Sequence, residues 1–255
     1  MIGHDWRELR ALIAERGIGL GAQVEFFDEI DSTNDALKRA GKHGAAHGTL
    51  YVAESQTRGR GRQGRAWIGE RGESILASVL LRLECDPRRL PPLAIVAGLA
   101  TRDAIGGGAK IKWPNDVLID GKKVAGILVE AVLSGTRVDA IVVGVGINVH
   151  QRNFPDEIAS RATSVALHHE GQPDRARILA DVLAGLDRDV AHVAARGLGL
   201  VHARITAADA LAGQRITLED GTEADALAIE LDGTLRVKKS DGTITRLSAG
   251  EVHLV

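Results

Sequence analysis

The stretch from Arg58 to Arg71 sets the tightest limit on how this chain can fold. It carries five arginines against one acid, Glu70, and is too polar to be core. Its centre is Gly59-Arg60-Gly61-Arg62-Gln63-Gly64-Arg65, with Trp67 two residues on. Glycines let a backbone approach a ligand closely, and guanidinium forks match phosphate or carboxylate oxygens. Packed together without a ligand, these arginines would repel, so the loop is predicted to stay mobile until an anion arrives. Ordering seven residues costs on the order of ten kcal/mol, which ligand contacts must offset. No Gly-Lys-Ser/Thr follows the glycines, so this is no Walker A loop. Composition alone fits a solvated turn or an RGG-like nucleic-acid tail equally well, but such tails sit in low-complexity surroundings.

Here the surroundings are ordered elements. Thr49–Ala53 and Ser74–Leu83 read as strands on either side of the loop. Trp6, Leu9, Leu12 and Ile13 predict a short amphipathic helix within 5–20, and residues 93–105 a buried one. Asp31-Ser32-Thr33-Asn34 reads as a polar turn into a helix. Ala140–Val145 is a nearly apolar, central strand, and a further helix should cover about 173–195.

The second informative segment is Lys112-Trp113-Pro114-Asn115-Asp116, followed by the hairpin dipeptide Asp120-Gly121 and then Lys122-Lys123-Val124-Ala125-Gly126. Pro114 cannot sit inside a central strand, so it marks a bend where Asn115 and Asp116 project. The Asp120-Gly121 turn brings Lys123 back beside them. A solvated hairpin with an Asx turn is the plainer alternative. Beyond Gly213 the texture changes. Asp220-Gly221, Asp232-Gly233 and Asp241-Gly242 separate short alternating segments, predicting a small antiparallel sheet or barrel that packs on the larger domain.

Composition narrows the classes. The 255 residues carry a net charge of −2, and only seven are aromatic, which argues against a dedicated polynucleotide binder. A single cysteine, Cys85, precludes an internal disulfide and a cysteine-based zinc site, and reads as a buried small hydrophobe. Scattered histidines, His168-His169 among them, give no metal-ligand pattern. Without a signal block or an apolar run of about 18 residues, the expectation is a cytoplasmic chain away from membranes. Gly144-Val145-Gly146 lacks the third glycine of a dinucleotide fingerprint.

Three segments in this order resemble the biotin protein ligase family. They are Asp31-Ser32-Thr33-Asn34, then Gln56 with GRGRQGRAW at 59–67, then KWPNDVLIDGKKVAGILVE at 112–130; the likeness continues through Gly144 to Asn148. The Arg-rich loop and KWPND together are specific, whereas the Ser-Thr-Asn turn alone is weak. The resemblance implies an α+β fold, with a mixed sheet flanked by helices, related to class II synthetases, and a C-terminal SH3-like β-barrel. It implies a catalytic domain at 1–210 and the small domain at 211–255. Only about 25 residues precede the first motif, so a ligase-only form without the winged-helix repressor module, and hence no DNA partner, is expected.

The implied activity is ATP-dependent: biotin and MgATP give biotinyl-5′-adenylate and pyrophosphate, and a lysine of a biotin carboxyl carrier protein then takes the biotinyl group. By match of motif, Ser32, Thr33, Asn34 and Gln56 would bind the ureido head or line its pocket. Gly59, Arg60, Gly61 and Arg62 would close over the carboxylate and α-phosphate, Arg65 would face the triphosphate, and Trp67 would be an apolar wall. Lys123 would be the principal catalytic residue, with Arg60, and Asp116 would orient or deprotonate the acceptor lysine. Asn115, Gly126 and Asn148 complete the expected binding set. Mg²⁺ would enter with ATP and not through a protein cage. Strand edges could pair with the acceptor or form a homodimer. Two competing functions stay open at this point: a lipoate or octanoyl transferase, and a nucleic-acid binder using the Arg-rich loop.

Overall fold

The computed structural model describes residues 4–135 and 137–255. A seven-stranded mixed sheet organises most of them, in the order β1-β2-β3-β7-β6-β5-β4. The strands are β1 (Val24–Phe27), β2 (Leu50–Ala53), β3 (Ser74–Leu81), β4 (Lys110–Lys112), β5 (Asp116–Ile119), β6 (Lys122–Ser134) and β7 (Arg137–Asn148). Only β1 and β2 run parallel; every other neighbour is antiparallel. The strands predicted at 49–53, 74–83 and 140–145 are all present, the last within a longer one. The segment 110–132 resolves into three strands, with the bend at Pro114 and a tight turn at Asp120-Gly121, both at positive φ. Strand β1 went unread because Val24-Glu25-Phe26-Phe27 is too short to establish a period.

The helices are α1 (Leu9–Glu15), α2 (Thr33–Lys42), α3 (Leu90–Ile105), α4 (Asp156–Ala159), α5 (Arg175–Arg196) and α6 (His202–Ala208). Helices α3 and α5 pack on one another and cover one sheet face, where Leu93, Ile95, Leu99, Leu179 and Leu186 are buried. Helix α3 opens three residues earlier than predicted, through Pro91-Pro92, because a first turn does not use its N–H groups. Helix α2 lies on the other face and seals Leu37 over Leu80, Val132, Ala140 and Val142. Ser32 caps it by accepting from the Asp35 N–H. Among the described residues, no helix is long and apolar enough to cross a membrane.

The C-terminal strands β8 (Arg215–Leu218), β9 (Glu223–Ile229), β10 (Leu235–Lys239), β11 (Ile244–Leu247) and β12 (Val252–Leu254) form a second antiparallel sheet ordered β11-β10-β9-β8-β12. This order is compatible with the SH3-like form, and the ladders among described residues leave it open between β11 and β12. Its three Asp-Gly-Thr turns share one device: Asp220, Asp232 and Asp241 each accept from the threonine N–H two residues on. The small sheet docks through the Trp113 indole, which donates to Gly233 O at 2.9 Å, and the segment leading into it is tied down by Ala210 N–H on Ile111 O at 2.8 Å. Cys85 is half-buried, not fully buried as predicted, because the chain leaves β3 at Leu81 and turns outward before it.

One ion pair sits wholly inside the fold. Arg175 is 3% exposed and grips Glu54, 5% exposed, through both Nη atoms at 2.9 and 3.3 Å, while its guanidinium lies 4.7 Å from the Trp6 ring centre. Removing one member of such a pair strands a buried charge. Glu54→Ala should therefore cost about 3–5 kcal/mol, read as a lowered urea midpoint at unchanged slope, and Glu54→Gln clearly less.

Candidate functional site

A cavity of about 480 Å³ opens on the face of the large sheet that α2 only partly covers. Its floor is made by absent side chains. Gly144 on β7 pairs with Ser78 on β3 and Leu128 on β6; two residues on, Gly146 pairs with Leu76 and Gly126. The two rows face the same way because the strand period is two. A Cβ at Gly144 would fall 2.1 Å from Asn34 Oδ1, and one at Gly146 would fall 2.6 Å from the Trp67 ring. The Trp67 ring therefore lies across Gly146 and Gly126, and the Asn34 amide across Gly144. Gly144-Val145-Gly146 is thus a packing surface within a strand and not a dinucleotide turn. Trp67 lines the cavity, and its Nε1 is buried without a hydrogen-bond partner among the described residues.

At one end of the floor the first turn of α2 presents Ser32, Thr33 and Asn34, all buried. Gln56 joins them by accepting the Thr33 N–H at 2.7 Å. Asn34, a candidate for ligand contact, is committed to the protein. Its Nδ2 donates to Glu130 Oε2 at 2.9 Å and to Leu128 O at 3.3 Å, and its Oδ1 accepts from Ser78 Oγ at 2.6 Å.

At the other end, the Lys123 ammonium lies 2.6 Å from Asp116 Oδ1 and 5.6 Å from the Trp67 ring centre. The close approach to Asp116 is an ion pair outside hydrogen-bonding angles. Lys112 Nζ stands 4.0 Å from the other Asp116 oxygen. Burial pushes the Lys112 ammonium below its ordinary range, Lys123 adds to this, and Asp116 opposes it. Two lysines share one carboxylate, leaving one positive charge for an incoming anion. The hairpin reading that placed Lys123 beside Asn115 and Asp116 holds geometrically. Asn115 Nδ2 donates to Ile127 O at 2.9 Å, and Lys123 N–H to Arg161 O at 2.8 Å, so both flanks of the hairpin are pinned. Asn148 donates to Thr163 O at 3.0 Å and fixes the end of β7 at the cavity.

The Arg-rich loop closes over the cavity, and here the structure corrects the expectation of unrelieved repulsion. Each arginine meets an acceptor from a distant element. Arg60 donates to Asp35 at 2.8 Å and to Glu130 at 2.9 and 3.0 Å. Arg62 donates to Asn115 Oδ1 at 3.2 Å and Gly250 O at 3.3 Å; Arg65 pairs with Glu251 at 2.6 Å, Arg58 with Asp31 at 3.3 Å, and Arg71 with Asp28. Counting acids within the loop missed partners that folding brings from α2, β6 and the C-terminal sheet. The sequence reading also missed Lys112, Ser78, Glu251 and Glu130 as members of this region. Glu130 closes the 112–130 motif and read only as a strand residue; a charged residue at an otherwise apolar strand position was its one signal. The small sheet adds Val252 and His253 to the wall, and the segment after β7 adds Phe154 and Ile158. Among the described residues no group of three His, Cys, Asp or Glu side chains could hold a metal ion.

Glu130 binds three elements at one carboxylate. Burial pushes it up, but hydrogen bonds from Lys38 and Asn34, with the charges of Lys38 and Arg60, outweigh this and hold it below its ordinary 4.5. A carboxyl lowered by folding stabilises the protein fully above its unfolded value and loses that contribution as pH falls through the folded one. Chemical denaturation from pH 7 to pH 3 should show wild-type stability converging on that of Glu130→Gln below pH 4.5; a constant gap would contradict the assignment.

Known proteins carry the same architecture. The model of the Biotin/lipoate A/B protein ligase family matches residues 26–148. Over 192 residues the chain is 36% identical to the biotin--[acetyl-CoA-carboxylase] ligase of Mycobacterium tuberculosis, covering 72% of this chain and 69% of that one. It is 38% identical over 170 residues to the bifunctional ligase/repressor BirA of Bacillus spizizenii, where the match spans only about half of the relative, 52%. A solved structure of the biotin protein ligase from Aquifex aeolicus, in complex with biotin and ATP, superposes with a TM-score of 0.77 at 30% identity, covering 91% of this chain and 98% of that one. The glycine floor, the lysine-carboxylate pair and the Arg-rich loop therefore belong to a chain that is a member of the biotin protein ligase family.

Proposed function

We propose that this chain activates biotin with MgATP and transfers the biotinyl group to a lysine of a biotin carboxyl carrier domain. One observation supports the reading above the rest. A polar set fit for a small head group (Thr33, Gln56) and a cationic set fit for two anions (Arg62, Lys112, Lys123) line one cavity, bridged by an apolar floor. Biotin has that layout: a cyclic urea at one end, a carboxylate at the other, and an apolar arm between. Gln56 spends Oε1 on the Thr33 N–H, which turns its Nε2 donors free for a urea carbonyl. In this reading residues 1–210 form the catalytic unit, and 211–255 the small domain that helps close the site.

In the first step a carboxylate oxygen of biotin attacks the α-phosphorus and pyrophosphate leaves. No general base is needed, since the carboxylate is already ionised at pH 7. The barrier lies in bringing two anions together, which fixed cations relieve. Lys123 would stand between carboxylate and α-phosphate once its pairing with Asp116 loosens. Arg60, Arg62 and Arg65, with the amides of Gly59 and Gly61, would exchange protein acceptors for ligand oxygens. Magnesium would enter as part of the substrate MgATP, where it would offset phosphate charge. In the second step the acceptor amine attacks the acyl carbon, AMP leaves, and the ammonium proton must be lost. Lowering a lysine from ~10.4 to 7 corresponds to about 4.6 kcal/mol, a load that Asp116 is positioned to share.

Incubation with biotin, ATP and Mg²⁺ should yield a retained biotinyl-5′-adenylate by mass spectrometry. Lipoate in competition should yield none, and adenylation of lipoate alone would redirect the reading to the transferase alternative. Lys123→Ala should lower adenylate formation about 10²–10³-fold. Asp116→Asn should leave the adenylate forming while slowing transfer to a carrier domain about 100-fold; equal loss of both steps would remove Asp116 from the transfer step.

A further inference from the structure

Four oxygen atoms stand in a row beneath the first turn of α2. Asn34 Oδ1 lies 2.6 Å from Ser78 Oγ, which lies 2.7 Å from Thr33 Oγ1, which lies 3.1 Å from Gln56 Oε1. Three gaps separate them, but the two hydroxyls bring only two hydrogens. Neither amide can turn round to supply a third. Asn34 must face its NH₂ toward Glu130 Oε2 and Leu128 O, and Gln56 must face its oxygen toward the Thr33 N–H. One gap therefore holds no hydrogen.

The shortest contacts are the worst places for two oxygens without a proton between them. The 3.1 Å gap alone exceeds the ordinary range for O–H···O bonds. Ser78 thus donates to Asn34, Thr33 donates to Ser78, and Thr33 Oγ1 and Gln56 Oε1 turn lone pairs toward each other. Thr33 and Gln56 line the cavity, whereas Ser78 does not and is 1% exposed.

We propose that Ser78 is a specificity-determining positioning residue: by taking the Thr33 proton, it leaves Thr33 Oγ1 and Gln56 Oε1 as a paired acceptor for one N–H of the ligand's head group. The proposal rests on the biotin reading and sharpens it. A cyclic urea fills the acceptor pair with an N–H. A dithiolane or an alkyl end brings no such donor, so lone pairs of Thr33 Oγ1 and Gln56 Oε1 stay facing each other out of water, with only the Thr33 N–H on Gln56 Oε1, which a buried polar site tolerates poorly.

The test uses biotin and its two cyclic carbamates, in each of which one ureido N–H is replaced by a ring oxygen. Titration calorimetry compares all three on the wild type and on Ser78→Ala. On the wild type, at least one carbamate should bind about 30-fold or more weakly than biotin. In Ser78→Ala the Thr33 proton swings to Gln56 Oε1, so biotin should weaken and the preference should shrink to within about threefold. If Ser78 only packs, its loss weakens all three ligands by one factor, which overturns the proposal. Equal binding of all three by the wild type also overturns it and leaves the biotin reading intact, and this comparison does not depend on how Ser78→Ala folds. A wild type that binds none of them sinks that reading and the proposal with it.

Discussion

The site depends on charge balance made at long range. Five arginines cannot be gathered into one loop unless acceptors reach them, and the sequence around the loop provides almost no acids. The acids come from the turn after β1 and the start of α2 (Asp28, Asp31, Asp35), from the middle of β6 (Glu130) and from the edge of the C-terminal sheet (Glu251). These elements are held by the core, so the loop closes onto preset partners. Its resting contacts are mostly carboxylates, and under the proposed function a ligand carrying a carboxylate and phosphates would offer the same chemistry in mobile form. Binding would then be an exchange of anions around the guanidiniums, with part of the ordering cost falling before a ligand arrives.

Lys123 obeys the same logic on a smaller scale. Alone beside Lys112 it would be a repulsive pair in a half-buried cleft. Asp116 makes the pair tolerable without cancelling it, so one positive charge remains, where the proposed reaction would bring a carboxylate and a phosphate together. The hairpin turn at Asp120-Gly121 sets this geometry, because its register puts Asp116 opposite Gly126 and brings Lys123 alongside Leu118.

Much of this was legible in the sequence where chemistry is local. The polar turn at 31–34 that opens α2, the Asp-Gly turns, the bend at Pro114 and the apolar run of β7 each follow from a few adjacent residues, and the structure has them; which of the four polar residues caps the helix, Ser32, comes from the structure. What escaped is nonlocal. Glu130, Ser78 and Glu251 lie far from their partners in sequence, and nothing beside them announces a functional neighbour. The motif match puts Asn34 on the ureido head or in the wall of its pocket; Asn34 lines the cavity, and the strand register, which sets Ser78 and Leu128 on either side of Gly144, shows that its amide is also hydrogen-bonded to the protein. The repulsion read from five neighbouring arginines overlooked the same partners, since a window of fourteen residues cannot count acids that α2, β6 and Glu251 bring to it.

The glycines and the buried polar row solve one problem between them. A sheet face built to pack apolar side chains gives a flat, featureless floor, and a polar head group laid on it would lose its water without recompense. Gly144 lowers the floor enough for an amide to enter, and Gly126 and Gly146 lower it for an indole. Once inside, the Asn34 amide needs partners at both ends, and Glu130 and Ser78 provide them. The demand is then passed outward: Ser78 must be satisfied by Thr33, and Thr33 by whatever enters the cavity. Polarity at the wall is thus the far end of a hydrogen-bond chain whose direction is fixed by one carboxylate on β6, so selectivity for a head group is set by residues that never touch it.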